Sequence, residues 1–483
     1  MSEGPVVETR EGPVRGIRRD HDVAFLGIPY AAPPTGERRF LAPQPVRPWT
    51  EVRDATRYGP TPQRREEPNA LIPEPSIPGA ETLNLNVFTP AADDGGRPVL
   101  VWIHGGGFSA GSAASPWYDG GTFTRDGVVV VTLSYRLGFD GFGVIDGAPD
   151  NRGVRDWIAA LEWVQRNIAA FGGSPDRVTI GGHSAGGGAV LALLGMPAAQ
   201  HLFGAVMSFS GAIADIPRDL ARQRSIRLAE MVGVEPTLDG FRGATERELT
   251  RRQYQASLLG KRGLAATLAA LRDGLPWGPV IDGELIPQPT VDSFRDGVGA
   301  DKPLLLGATD DEFTTAIETA PRVLRRLPRH LLLRIVERDA GRRRSWRRSN
   351  RALRRNAVGT LGRYVADEVF RSLVVAVAEA RRDAPTWVYR FAWVSPTLGW
   401  SCHCLDVPFW WDVLHGPRVA PIAGRRPPQR LADEMHGAAA AFVRQHDPGW
   451  PAWASTPGTA RVFGADEGPE VSSTAYDGAV PLV

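Results

Sequence analysis

RVTIGGHSAGGGAVLALLGMP, residues 177–197, places a G-x-S-x-G pattern between a short β-branched run and a longer apolar run. We interpret Arg177–Ile180 as a strand and Gly188–Leu194 as a helix that the following glycine and proline end. A strand, a tight turn and a helix in this order are typical of a nucleophile elbow, where glycines relieve crowding at a strained turn. The pattern predicts that Ser184 is a catalytic nucleophile. The alternative is a serine in an ordinary glycine-rich turn.

A second glycine-rich segment follows an earlier apolar run. Val99–Ile103 is predicted to be a buried strand, and His104-Gly105-Gly106-Gly107-Phe108 comes directly after it. Backbone amides can stabilise negative charge on a carbonyl oxygen only where no side chain covers them. We therefore predict an oxyanion hole made by the amides of Gly106, Gly107 and Ala185. A connection that merely lets a strand pass close to a helix is the alternative, which the presence of both motifs weakens.

Composition narrows the classes of function. The 483 residues include 42% hydrophobic and 23% charged residues, and the net charge of +2 gives no indication of nucleic acid as a partner. No apolar stretch approaches the about 20 residues of a membrane span, and Met1–Pro5 lacks the layout of a signal peptide. Cys402 and Cys404 are too close in sequence to form a favourable disulfide. We expect free thiols and a cytoplasmic protein.

Strand and helix patterns alternate through the middle of the chain. Apolar runs predict strands at 98–103, 128–134, 178–182, 204–210, 302–308 and 386–393, and helical periodicity predicts helices at 153–170 and 431–445. Such alternation indicates an α/β fold with a mostly parallel central sheet and helices on both faces. Residues 215–275 and 313–382 are expected to be inserted helical cap regions, and residues 1–483 a single domain.

An acid and a histidine are expected after the serine, each at the end of a later strand. Asp310, Asp311 and Glu312 follow the strand predicted at 302–308. One of them is expected to be buried against the histidine, and the other two to be surface or capping charges. Of the nine histidines, only His403 follows a late strand within an apolar loop of small residues.

These motifs resemble those of the type B carboxylesterases, the family of bacterial para-nitrobenzyl esterases and animal cholinesterases. The resemblance extends over nearly the whole chain and includes the segments Gly12–Gly16, Phe25–Ala31, Leu83–Val87, Tyr135–Phe139 and Asn167–Thr179. It implies the α/β-hydrolase fold and the hydrolysis of carboxylic esters.

The resemblance also selects site residues. The family's acid motif falls on Asp311-Glu312-Phe313 and selects Glu312, and its histidine motif falls on His403 to Phe409. The implied mechanism is a Ser-His-Glu triad that forms an acyl-enzyme, with Asp406 and Ser210 as buried neighbours. It requires a small ester substrate and no metal or organic cofactor. Three metal ligands within Cys402–Cys404 could not readily surround one ion.

The sequence departs from the family pattern at three places. His183 replaces the usual glutamate before the nucleophile, which makes a preference for cationic choline-like esters doubtful. Thr82 stands where a disulfide cysteine is expected. The segment 342–355 is rich in arginine; a solvated helix face is one interpretation, and a basic rim for acidic substrates is the other.

Some features stay open. Phe108, Trp117, Phe313 and Trp400 are candidate walls of the substrate pocket, although each could equally be packed in the core. We expect a monomer or a weak homo-oligomer. The alternatives to an esterase are a non-catalytic binding protein on the same scaffold, or a peptidase or acyltransferase that uses the triad.

Overall fold

A central sheet of eleven strands organises the protein. The computed structural model describes residues 4–62, 70–261, 274–318, 328–353, 355–465, 468 and 470–483. Within these residues the strands are β1 Val6–Glu8, β2 Pro13–Arg15, β3 Ile17–Arg18, β4 Val23–Pro29, β5 Arg53–Asp54, β6 Asn84–Thr89, β7 Arg97–Ile103, β8 Val129–Leu133, β9 Gly173–His183, β10 Ala205–Phe209, β11 Ile216–Pro217, β12 Val280–Ile281, β13 Leu304–Thr309, β14 Thr386–Phe391, β15 Ala460–Phe463 and β16 Val471–Ser472.

The strand order is β16-β15-β14-β13-β10-β9-β7-β8-β6-β4-β3. All neighbours from β15 to β8 pair in parallel, whereas the strands at both edges pair antiparallel. The prediction of a mostly parallel central sheet is confirmed. Because the carboxyl ends of parallel strands meet at one edge, the loops that follow β7, β9, β13 and β14 are brought together there.

Hydrophobic cores cover both faces of the sheet. Adjacent residues of β7 enter different hydrophobic clusters, Val101 the first and Trp102 the second. Apolar residues of the helix Arg152–Asn167 belong to the first cluster, and those of the helix Gln429–Gln445 belong to the second. Both faces are therefore buried, which explains why the central strands are continuous apolar runs rather than alternating ones.

Helices connect and flank the strands. Their bounds are Gly121–Arg125, Gly138–Phe142, Arg152–Asn167, Ala185–Leu194, Arg218–Val232, Leu238–Gly243, Glu246–Ser257, Thr290–Arg295, Thr314–Glu318, Arg329–Val336, Ala340–Ser349, Ala357–Ala366, Ser372–Ala380, Val407–Trp410, Ala420–Ala423 and Gln429–Gln445, with a π-helical turn at Asp367–Arg371. Among the described residues, none of these helices combines the length and apolar character that a bilayer crossing requires.

The predicted insertions are helical where the structure describes them. Helices occupy much of 218–257 and 329–380. Residues 262–273, 319–327 and 354, which belong to the predicted insertions, lie outside the described residues. The extent of a single domain over residues 1–483 stays a prediction.

Candidate active site

Ser184 occupies the turn between β9 and the helix Ala185–Leu194. Its φ of 59° and ψ of −124° lie in a region that residues other than glycine rarely adopt. The Ser184 amide donates to the Phe209 carbonyl at 2.9 Å, and the Ser184 carbonyl accepts from Gly188 and Ala212 at 2.9 and 3.0 Å. These backbone bonds hold the strained conformation at the carboxyl edge of the sheet.

The helix begins at Ala185, three residues earlier than the sequence predicts. A Cβ on Gly186 would lie 2.0 Å from the Ile103 carbonyl oxygen, and one on Gly188 would lie 2.1 Å from the Ala212 carbonyl oxygen. The glycines are therefore required by close contact with neighbouring backbone and do not mark a loop. Tertiary packing outweighs their low helix propensity.

His403 joins the serine to an acid. The Ser184 hydroxyl donates to His403 Nε2 at 2.9 Å, and His403 Nδ1–H donates to Glu312 Oε2 at 2.5 Å. Glu312 Oε1 accepts from the Thr309 amide at 2.8 Å, and the His403 amide donates to the Glu312 carbonyl at 2.9 Å. The three predicted residues are thus brought together, in the order in which a base removes a proton from a hydroxyl group.

All three carboxylates after β13 are buried: Asp310, Asp311 and Glu312. The expectation that two of them are surface or capping charges is wrong. Asp311 forms an ion pair with Arg355. The helical insertion supplies this arginine from 44 residues farther along the chain, so no neighbouring residue indicates that Asp311 is buried.

Asp310 lies in a buried cluster of guanidinium groups. It accepts from Arg371 at 3.0 Å and from Arg390 at 2.7 Å, and it lies 3.4 Å from Arg363. Burial alone would raise the pKa of Asp310, but the charges of Arg363, Arg390 and Arg371 hold that pKa well below its usual range. This carboxylate is fully ionised near neutral pH and anchors the loop that carries Glu312.

The glycine-rich loop after β7 runs directly beside Ser184. A Cβ on Gly105 would lie 2.7 Å from the His183 carbonyl oxygen and 3.1 Å from Ser184 Cβ. Gly106 and Gly107 have φ of 108° and 59°, conformations that favour glycine. The sequence therefore allows this loop to approach Ser184 closely.

His104 stabilises the same loop. Its Nδ1–H donates to the Gly105 carbonyl at 2.8 Å, and its ring stacks on Tyr135 with centroids 4.6 Å apart. The Tyr135 hydroxyl donates to the His104 carbonyl at 3.0 Å. Burial lowers the pKa of His104 to about 4, so the ring is neutral near pH 7 and serves to hold the loop.

The amides of Gly106, Gly107 and Ala185 donate to no acceptor within the described part of the chain. Ala185 is also the first residue of a ten-residue helix, whose N-terminus carries partial positive charge. Free amides at a helix start beside a nucleophile can bind a negatively charged oxygen. This arrangement is suited to the oxyanion of an acyl-transfer intermediate.

His183 and Asp406 lie behind the triad. The His183 ring is 4.7 Å from the His403 ring, and its Nε2 lies 3.9 Å from Asp406 Oδ1, beyond hydrogen-bond distance. Burial, reinforced by His403, lowers the pKa of His183 well below its usual value. Burial and the charge of Glu312 raise the pKa of Asp406 to about 7. Because its pKa is lowered, His183 is a neutral imidazole where the family pattern has a carboxylate.

Only some polar atoms of Asp406, His183 and Ser210 are hydrogen-bonded among the residues described. Asp406 Oδ2 accepts from the Tyr389 hydroxyl at 3.0 Å and from Trp410 Nε1 at 3.2 Å. Asp406 Oδ1, both ring nitrogens of His183 and the Ser210 hydroxyl have no hydrogen-bond partner among the residues described. Ser210 itself is buried with a φ of 44°. The sequence-predicted neighbours are thus present and leave polar atoms free beside the triad.

The four predicted pocket residues occupy different environments. Phe108 and Trp117 are fully buried in the two hydrophobic clusters, so neither side chain has surface open to a substrate. The Trp400 indole donates to Glu318 at 2.9 Å and packs against the helical insertion. Phe313 is 37% exposed, and its ring lies 5.1 Å from the His403 ring.

Two residues near Ser184 and His403 were missed by sequence reasoning. Leu275 Cδ2 lies 3.8 Å from the position that a Cβ on Gly107 would take, so this side chain borders the glycine-rich loop after β7, the candidate oxyanion loop. The Phe370 ring lies 5.1 Å from the His403 ring and 5.2 Å from the Phe313 ring. Neither residue belongs to a motif near the triad residues in sequence, so no local signal pointed to them.

Comparison with known proteins identifies the family. The Carboxylesterase family model matches residues 3–476. The chain is 33% identical to the para-nitrobenzyl esterase of Bacillus subtilis, covering 93% of this chain and 92% of that protein. It is 31% identical to the phenmedipham hydrolase of Pseudarthrobacter oxydans, covering 98% and 97%.

Solved structures agree. A carboxylesterase of Geobacillus stearothermophilus, determined at pH 6.2, superposes with a TM-score of 0.81 at 35% identity, covering 95% of this chain and 96% of that one. A PNB esterase superposes with a TM-score of 0.82 at 29% identity, covering 97% and 96%. The chain therefore belongs to the carboxylesterase family, and it is a carboxylic ester hydrolase with the α/β-hydrolase fold.

Proposed function

We propose that ester hydrolysis proceeds through an acyl-enzyme on Ser184, with His403 as general base and Glu312 as its orienting acid. The observation that carries the proposal is the unbroken chain of hydrogen bonds from the Ser184 hydroxyl through His403 to Glu312. Because Nδ1 carries the proton donated to Glu312, Nε2 is free to take the serine proton.

In this mechanism Ser184 attacks the ester carbonyl while its proton moves to His403. The amides of Gly106, Gly107 and Ala185 bind the oxyanion; each such donor contributes roughly 3 kcal/mol to transition-state stability. His403 then gives the proton to the departing alcohol. Water, activated in the same way, releases the carboxylic acid and regenerates the serine.

The proposed substrates are small, uncharged carboxylic esters. A neutral His183 stands where a carboxylate could attract a cation, and the exposed Phe313 offers an apolar ring beside His403. The similarity to a para-nitrobenzyl esterase supports aromatic alcohol esters as the first compounds to test. We expect p-nitrobenzyl and p-nitrophenyl esters to be hydrolysed much faster than choline esters.

The decisive experiment combines labelling with substitution of the serine. An organophosphate should add one group per chain, which peptide mass spectrometry locates on Ser184. Ser184→Ala should abolish ester turnover and leave the melting temperature within a few degrees of the parent. Retained esterase activity in a clean S184A preparation would contradict the mechanism. Turnover of peptide amides without that of esters would favour a peptidase.

We further propose that the protein is cytoplasmic and a monomer or weak homo-oligomer. Cys402 and Cys404 are free thiols, as the sequence predicts, and free buried thiols suit a reducing compartment. Light scattering during size-exclusion chromatography tests the oligomeric state. A stable dimer at nanomolar concentration would contradict this expectation.

A further inference from the structure

Three buried side chains, one from the end of β9 and two from the loop after β14, come together at the proposed triad. His183, His403 and Cys404 each offer one potential ligand atom, and these atoms all lie within 4.8 Å of one another. Cys404 is a free thiol, and neither ring nitrogen of His183 has a partner among the described residues. Residues Cys402–Cys404 alone could not surround an ion, because all three belong to one short segment. The carboxyl end of β9 supplies His183, from a different part of the chain.

Two imidazoles and one thiol are ligands that favour zinc and similar soft divalent cations. We propose that this cluster, the soft-metal site of His183, His403 and Cys404, binds a thiophilic divalent cation such as Zn²⁺, and that binding inhibits the enzyme. The Cys404 thiol releases its proton to solvent and binds as a thiolate. A nitrogen of His183 and Nε2 of His403 complete three positions, and water or the Ser184 hydroxyl takes the fourth.

The surroundings of the cluster suit a cation. His403 Nδ1–H stays bound to Glu312, and a carboxylate behind a ligating histidine is a common arrangement in metal sites. Asp406 Oδ1, 3.9 Å from His183 and without a hydrogen-bond partner among the described residues, adds an acidic group next to the ion. Zinc bonds of about 2.0–2.3 Å place tetrahedral ligand atoms about 3.3–3.8 Å apart, so these atoms must approach one another by up to about 1.5 Å.

The proposed inhibition follows from the metal binding to the nitrogen that accepts the serine proton. His403 Nε2 cannot both bind a cation and accept the proton of Ser184. The predicted inhibition therefore rests on the proposed role of His403 as the base. The predicted metal binding does not depend on that role.

The chain provides a matched control, because Cys402 flanks His403 on the other side and is also buried but is not part of the cluster. Initial rates on a p-nitrophenyl ester are measured against Zn²⁺ concentration for the parent, Cys402→Ser and Cys404→Ser. The parent and C402S should be inhibited at the same Zn²⁺ concentration, and a chelator should restore the rate. C404S should need at least about tenfold more Zn²⁺. Equal sensitivity of C404S and the parent would overturn the proposal.

A second measurement does not depend on turnover. Co²⁺ added to the inactive Ser184→Ala variant should give the intense visible absorption of tetrahedral thiolate coordination. The double variant S184A/C404S should lack this absorption. A spectrum that persists without Cys404 would overturn the site. Co²⁺ bound through Cys404 without inhibition of the parent would uphold the site and contradict the role of His403, so the two failures differ.

If C404S does not fold, the site can instead be tested by thiol modification of the parent enzyme. Zn²⁺ should slow modification of Cys404 by a thiol reagent at least about tenfold and leave Cys402 unaffected, as read by peptide mass spectrometry. Equal protection of both cysteines, or of neither, would overturn the proposal.

Discussion

Residues of the site adopt backbone conformations that most side chains avoid. Ser184, Ser210 and Cys404 all have positive φ, at 59°, 44° and 68°. Such conformations each cost of order 1–3 kcal/mol and persist only where packing and hydrogen bonds hold them. The sheet edge provides that support here, for example through the bond from the Ser210 amide to the Gly307 carbonyl at 2.8 Å.

Glu312→Gln tests the orienting acid. The glutamine amide can donate to His403 Nδ1 and favour the tautomer whose Nε2 carries the proton, so the Ser184 hydroxyl loses its acceptor. We expect kcat to fall by about 10²–10⁴-fold with little change in KM. Glu318→Gln is the control, since Glu318 accepts from the Trp400 indole and lies outside the proposed triad. Comparable kcat values for E312Q and E318Q would contradict the assignment.

Leu275→Ala tests the missed neighbour of the oxyanion loop. Leu275 lies 3.8 Å from the Cβ position of Gly107, so its removal opens space beside the candidate oxyanion loop. We expect the acyl group of the ester to occupy that space. The ratio of kcat/KM for a hexanoyl ester to that for an acetyl ester should rise by about tenfold. Both p-nitrophenyl esters are measured in parallel. An unchanged ratio would show that the acyl group lies elsewhere.

At the scale of elements, the helix after Ser184 shows how contacts override propensity. Gly186, Gly187 and Gly188 would each be disfavoured in a helix by about 1 kcal/mol relative to alanine. Their missing side chains allow the helix to approach β7 and the loop after β10, where backbone atoms lie 2.0–2.8 Å from the Cβ positions. The close approach is what places Ala185 against the oxyanion loop.

Gly186→Ala and Gly437→Ala form a matched pair for this argument. Both positions are inside helices, but a Cβ at Gly437 meets nothing within 4 Å. G437A should stabilise the protein by about 0.5–1 kcal/mol. G186A should destabilise it by at least about 1–3 kcal/mol and lower kcat, because the Ile103 carbonyl must move. Melting temperatures and esterase rates measure both; equal effects would refute the packing argument.

Elements with strong periodicity could be predicted from the sequence. The predicted strand at 98–103 and helix at 153–170 match Arg97–Ile103 and Arg152–Asn167 within three residues. The positions of Ser184, Glu312 and His403 followed from motifs. The burial of Asp310 and Asp311 could not be predicted, since their arginine partners lie 44 to 80 residues farther along the chain and come near only when β14 and the helical insertion have folded.

At the scale of the whole molecule, the cluster around Asp310 joins the loop after β13 to β14 and to the helical insertion. Arg390 belongs to β14, Arg363 to the helix Ala357–Ala366 and Arg371 to the π-helical turn. In a buried cluster of this kind, loss of the carboxylate or of one of its cationic partners strongly destabilises the protein. The cluster therefore couples the site loop to regions distant in sequence.

Asp310→Asn should lower the free energy of unfolding by about 3–5 kcal/mol at pH 7 because it leaves buried guanidinium groups unpaired. The folded-state pKa of Asp310 lies below its unfolded-state value, so its contribution is complete above about pH 5 and declines as the pH falls. The parent should therefore lose stability more steeply than D310N between about pH 5 and 3. Urea denaturation at each pH measures this.

Asp292→Asn is the control for that series. Asp292 pairs with Arg295 on the surface, where an ion pair contributes less than about 1 kcal/mol. D292N should follow the pH dependence of the parent. A slope for D310N identical to that of the parent would show that this carboxylate does not govern acid sensitivity.

The backbone bond from the His403 amide to the Glu312 carbonyl, 2.9 Å long, fastens one strand-end loop to its neighbour. This bond ties the proposed base and its orienting acid together, so we expect thermal motion to move both residues jointly and to preserve their mutual orientation. On heating, esterase activity should then be lost in a single transition, when this bond breaks, and below the melting temperature of the whole protein. A gradual decline in activity would indicate that the imidazole moves independently of Glu312.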